Sequence, residues 1–182
     1  MAKLTVLKNK KTVCVLKQKL SEILTFFLKS YTINQTIDYN TGYVHPQRIQ
    51  KNVPYAEPKE LYSHKEGYIF AGWFIGEKGY DFTKPVTGDI TLAAKWLKEG
   101  ENAVSITPQK VYVTTGDIEG KLYIAAYKDG RLTAIKALDS KPGFAWELSK
   151  LGPDVSAADK LAAFLWDSKM IPLCKSANTL ME

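Results

Sequence analysis

Both faces of the stretch GYIFAGWF, residues 67–74, are apolar: in an extended chain Tyr68, Phe70 and Phe74 fall on one side, Ile69, Ala71 and Trp73 on the other. Neither face of such a strand can be left in water, so the reading is a central strand covered on both sides. Gly72, with no side chain, would let a neighbouring segment come close. Any fold this chain takes must supply two covers for one strand.

The flanking segments read as its partners. YTINQTIDY, residues 31–39, alternates strictly, with Tyr31, Ile33, Gln35, Ile37 and Tyr39 on one side, and ends at the turn signal Asn40-Thr41-Gly42. Ile49 to Val53 reads as a second short strand, after which Pro54 and Pro58 break regular structure. In ITLAAKW, Ile90, Leu92, Ala94 and Trp96 point inward and Thr91, Ala93 and Lys95 outward, after the turn Val86-Thr87-Gly88-Asp89. The polar stretch LKEGENA then reads as a linker. Beyond it VYVTT, KLYIAAYK, RLTAIKAL, KPGFAWEL and KLAAFLWDS read as strands, with Asp129-Gly130 as a hairpin turn and Gly152-Pro153-Asp154 separating the last two. Short strands at turn-separated intervals suggest a β-sandwich.

The net charge is confined to one end. Of 25 basic and 19 acidic residues, seven lysines and one acid, Glu22, lie in residues 1–30, so the remaining 18 and 18 balance. A nucleic-acid groove needs its cations on the folded surface, and this pattern excludes that class. Within the arm Leu20, Ile23, Leu24, Phe27 and Leu28 have the spacing of a one-faced helix, with Ser21 as its cap and Glu22 at the positive end. The arm is a poor secretory signal, because Ser21 and Glu22 interrupt it and no small-residue cleavage site follows. It reads as a basic amphipathic helix docked on the next domain, contact with an anionic membrane surface being the lesser alternative. Cys14 and Cys174 stand near opposite ends in no metal-ligand spacing, and read as two separate thiols, a disulfide between them being the lesser alternative, with no zinc site. No apolar run of spanning length occurs.

The series GYIFAGWF, YDF and KPVTGDITLAAKW resembles the Listeria–Bacteroides repeat, also called the internalin B-type repeat, of bacterial surface proteins. The likeness runs from Tyr31 to Trp96, with Thr41-Gly42 where a glycine pair is usual and His45-Pro46 in a commonly plainer stretch. It implies a small β-grasp, ubiquitin-like module without catalysis, carried by secreted or wall-attached proteins in adhesive or spacer roles. YIAAYKDGRLTAIKAL followed by AAFLWDSKMIPL resembles an accessory domain of clostridial secreted enzymes and surface proteins, over Ala103 to Cys174. That implies an immunoglobulin-like or fibronectin-like sandwich. The expected organisation is a basic arm over 1–30, a β-grasp repeat over 31–97, a linker over 98–102 and a sandwich over 103–182. The fold class is mainly β, with α+β character in the first module.

A search for chemistry finds little. His45 and His64 lie in expected loops, and no serine sits in a nucleophile elbow. Asp117, Glu119, Asp129 and Asp167 lack the spacing of a calcium loop and read as solvated turn carboxylates. Glu147 and Asp167, beside Trp146 and Trp166, are the only acids in an apolar context, and read as facing solvent at strand edges. Trp73 and Trp96 read as core residues. Tyr80, Phe82 and Trp146 remain as a ligand-contact surface. The expectation is a non-catalytic spacer or adhesive unit without cofactor or metal, extracellular or on the cell surface. Its partner would be a host or cell-wall protein or glycan, and the alternative is a carbohydrate-binding module using exposed aromatics. Lacking a convincing export signal, the chain reads as part of a longer protein or as one with a misplaced start.

Overall fold

A computed structural model describes residues 18–22, 32–58, 64–117, 120–140 and 143–181, and within these the chain is mainly β. Residues 18–22 are helical. Ser21 lies inside that turn, its hydroxyl donating to the Gln18 carbonyl at 2.8 Å, so it is not the cap expected of it. The rest of the amphipathic pattern, and Cys14, lie outside the described residues.

The first unit is one mixed sheet. Strands β1 (Thr32–Asp38), β2 (Val44–Gln50), β3 (Tyr68–Ile75), β4 (Lys78–Gly79) and β5 (Ile90–Lys98) take the order β2-β1-β5-β3-β4, with β1 and β5 parallel and the other pairs antiparallel. The alternation expected of β1 is present: Ile33, Gln35, Ile37 and Tyr39 are buried. The turn after it holds Asn40 and Gly42 at positive φ (51° and 87°), the conformation those residue types tolerate. The second strand begins five residues before the expected Ile49. Pro46 falls inside it, opposite Thr36, which is acceptable because β2 is an edge strand and the missing N–H interrupts no inner ladder. The carboxylate of Asp89 accepts from both the backbone N–H (2.7 Å) and side-chain amide (2.9 Å) of Asn34, tying β1 to the start of β5.

Strand β3 departs from the simple alternation. Phe70 pairs with Trp96 and Trp73 with Ala94, so Ala71 and Gly72 together oppose Lys95 alone. This bulge, with Gly72 at φ 107°, reverses the facing of the residues beyond it. Phe70 and Trp73, expected on opposite faces, therefore join the same core with Ile37, Tyr39, Leu92, Ala94 and Trp96. Trp73 is 1% exposed, its ring 5.3 Å from those of both Tyr39 and Phe70. Trp96 is half-buried, and its indole N–H donates to the Tyr39 carbonyl at 2.8 Å. Nor is β3 central: that place belongs to β5, and β3 has only the two-residue β4 on its other side.

The second unit has two sheets. Strands β6 (Ala103–Ile106), β7 (Lys110–Thr114) and β10 (Phe144–Glu147) form one in the order β10-β7-β6. Strands β8 (Lys121–Lys128), β9 (Arg131–Asp139), β11 (Lys160–Trp166) and β12 (Ala177–Leu180) form the other in the order β12-β11-β8-β9. Both sheets feed a single core in which Val104, Ile106, Val111 and Val113 of the first meet Leu122, Ile124, Leu161 and Leu165 of the second. Asp129 and Gly130 (φ 48° and 73°) make the expected hairpin between β8 and β9. Strands β4, β6 and β12 were not anticipated, being short or polar.

The second cover for β3 comes from the second unit. Ala71, Leu97 and Tyr112 form a buried cluster with Phe70 and Ala103. The Ser105 hydroxyl donates to the Ala71 carbonyl at 3.0 Å, and the Gln109 amide to the Asp81 carboxylate at 2.5 Å. A Cβ on Gly72 would lie 2.6 Å from Cγ2 of Thr107, and one on Gly79 2.8 Å from the Thr107 Cα. Both glycines are where the second unit's backbone approaches the first. The stretch read as a linker is short in practice: β5 runs to Lys98, and β6 starts at Ala103.

Candidate functional site

The residues singled out as a contact surface are not brought together. Tyr80 and Phe82 meet edge to face, ring centroids 4.8 Å apart, in the turn after β4, and both lean on the aromatic core of the first sheet. Burial, and secondarily the neighbouring Asp81 carboxylate, push the Tyr80 phenol above its ordinary pKa. A small hollow of about 210 Å³ lies beside Tyr80, closed on the far side by Pro108 and Leu180. Trp146 sits on β10, opposite Val111, and packs on the core of the second unit. All three side chains are half-buried.

The ionisable groups are dispersed. His45 lies on the exposed edge strand β2 with its ring stacked at 6.4 Å on Tyr43, and His64 is exposed. Glu147 is held below the usual carboxylate range by a hydrogen bond and ion pair to Lys150 at 2.7 Å. Asp167 is committed to its own turn, accepting the N–H groups of Lys169 and Ile171, each at 2.8 Å. Asp117 and Asp129 are exposed at separate turns, and Glu119 lies outside the described residues. Among the described residues no group of three or more His, Cys, Asp or Glu could hold a metal ion, and no helix is long and apolar enough to cross a membrane. Cys174 is a free thiol whose burial raises its pKa, the opposite of an activated nucleophile.

A different aromatic surface does form. On β8 and β11 the side chains of Leu122, Ile124, Leu161 and Leu165 go to the core, so the alternate positions face out. Tyr123 stands directly opposite Phe164, and the Trp166 ring lies 5.3 Å from each. The Tyr123 hydroxyl reaches the Met170 sulfur at 3.6 Å. One row further along, Ala125 and Ala162 pair and are buried between the rings; beyond them Lys160 holds its ammonium 5.7 Å from the Tyr127 centroid. Ile135, opposite Ala125 on β9, is 57% exposed. The outer face of the four-stranded sheet thus carries a half-exposed cluster of three rings, Tyr123 and Phe164 tilted at 41° and 43° to Trp166, flanked by aliphatic side chains. The signal for it was in the sequence: once the inward residues of YIAAY and AAFLW are assigned, the rings are left outside.

Compared with known proteins, the chain matches the family model of the Listeria-Bacteroides repeat domain over residues 24–95. Neither the curated proteins nor the solved structures gave a match. The repeat is typical of extracellular or surface proteins and suggests a bacterial surface-protein module. The matched span takes in the whole first sheet except the end of β5.

Proposed function

We propose that the chain is a non-catalytic module of a bacterial cell-surface or secreted protein, working as an adhesive or spacer unit toward a host or cell-wall protein or glycan. The match over residues 24–95 carries this reading. Two features of the fold support its finer terms. The order β2-β1-β5-β3-β4, with β1 parallel to β5, is the arrangement a β-grasp repeat calls for. The two sheets that share one aliphatic core suit an immunoglobulin-like sandwich. A short connection and a packed contact between the units favour a stiff spacer over a flexible one. The test is protease shaving of intact producing cells. Release of peptides from residues 32–181 before lysis is the expected result, and their recovery only after lysis would refute a surface location.

A second reading, carbohydrate binding, is favoured by the half-exposed cluster of Tyr123, Phe164 and Trp166, since an exposed ring face can stack on a sugar. This surface joins Tyr80, Phe82 and Trp146 as one to examine. A glycan array with the whole chain should give a saturable signal that Trp166→Ala abolishes. A signal indifferent to that change argues against the platform.

A further inference from the structure

The largest cavity described, about 920 Å³, is an open cleft between the two units. One wall is the outer face of β3 and β5 with the turns beside them, bearing Lys65, Glu77 and Lys95; the other is β6 and the segment leading into β12, bearing Cys174, Lys175 and Asn178. Two of its lysines are held in place by rings of the wall. The Lys65 ammonium lies 4.2 Å from the Tyr68 centroid, and that of Lys95 4.9 Å from the Phe74 centroid. Among the described residues no carboxylate forms an ion pair with Lys65, Lys95 or Lys175. Partial desolvation of the otherwise exposed Lys95 is the main cause lowering its pKa; Glu77 opposes it, and Lys175 of the second unit adds to it. Folding therefore brings like charges from two units together over a polar cleft, with Glu77 alone against them.

We propose that this cleft binds an acidic saccharide, whose carboxylate, sulfate or phosphate groups are held by Lys65, Lys95 and Lys175. An anion between Lys95 and Lys175 relieves their repulsion and joins the units across the gap. The cleft is too large for a lone inorganic anion to fill, and its cations are spaced singly among hydroxyl and amide side chains such as Ser176 and Asn178. That pattern suits a chain with separated acidic groups and many hydroxyls. An acidic peptide is the competing occupant, and the tetraglutamate arm of the test separates it from the sugars. The inference rests on the non-catalytic reading, to which it adds a ligand class. It is separate from the aromatic cluster on the four-stranded sheet.

The test is calorimetric titration of the full chain with a heparin tetrasaccharide and with tetragalacturonate, against neutral maltotetraose and tetraglutamate. The charged sugars should bind saturably, more weakly as salt rises, and the two controls should not bind. The double variant Lys95→Gln, Lys175→Gln should lose about tenfold in affinity. Lys175 is exposed, so Lys175→Gln alone should stay folded and show a loss of a few fold. In a Cys14→Ser background the only thiol is Cys174, and bound sugar should slow its alkylation by N-ethylmaleimide. The proposal is overturned if neither charged sugar binds, if a control binds as well, if the lysine variants bind normally, or if Cys174 stays equally reactive. New reducing ends in the sugars would instead refute the non-catalytic reading and leave the cleft assignment standing.

Discussion

The two units solve the same problem with different means. The second closes two sheets on each other, and an aliphatic core of Val, Ile and Leu from both is enough. The first has a single sheet, so its core relies on large rings, Tyr39, Phe70, Trp73 and Trp96, and the back of β3 and β5 must borrow a cover. A sheet with two apolar faces and one cover of its own is an incomplete structure. Here the missing layer is the neighbouring unit, fitted against Gly72 and Gly79 where side chains would have kept it away. The second unit depends on the first less completely: β8, β9 and β11 fill their core without it, whereas Tyr112 and Ser105 of the smaller sheet are buried against β3.

Four substitutions test that asymmetry, and the largest effect belongs to the aromatic core. Trp73→Ala empties the most enclosed large site of the first sheet and should cost about 3–5 kcal/mol in a urea melt. A loss under about 1 kcal/mol would mean the rings do not carry this core. Next comes Gly72→Ala, which meets both a positive φ and Thr107 at 2.6 Å, and should cost about 2–3 kcal/mol. Its comparison is Gly130→Ala, at a milder positive φ of 73° and in open space, where about 1 kcal/mol is expected. Equal losses at the two glycines would show that the close approach between units carries no energy. Ser105→Ala removes one buried hydrogen bond across the junction and should cost about 1 kcal/mol. It should also speed proteolysis within residues 99–102.

The smallest effect is a matter of pH. The Asn34 hydrogen bonds hold the Asp89 carboxyl below its ordinary pKa, so its contribution is complete above the ordinary carboxylate value and fades as pH falls through the lower, folded one. Asp89→Asn should therefore flatten the acid side of the stability profile and leave the second unit's melting unchanged. An unaltered acid limb would remove this tie between β1 and β5.

The sequence carried alternation well and bulges poorly. The inward set of β1, the inward set of β5 and the Asp129-Gly130 hairpin all follow from local pattern, since a period of two and a positive φ leave a mark in every residue. The bulge at Ala71 and Gly72 does not, because it depends on pairing with Lys95, twenty-odd positions away. Counting by twos through it placed Phe70 and Trp73 on opposite faces. The start of β2 was missed because Pro46 reads as a breaker until the strand is known to be at an edge. The need for two covers on β3 was legible from GYIFAGWF, but not which segment would provide the second. For the same reason the setting of Trp146 was not legible along the chain: its partner Val111 leans it on the core and leaves it half-buried.

Pro46 has a further effect on how many copies of this protein can be crowded together. The outer rim of the first sheet is β2, where Tyr43 and Val44 are exposed and a bare row of donors and acceptors would invite another molecule to zip on. With the ring of Pro46 near the middle of that rim, one donor is gone and the docking of a foreign strand is spoiled. Copies brought close together are then kept from joining through this rim.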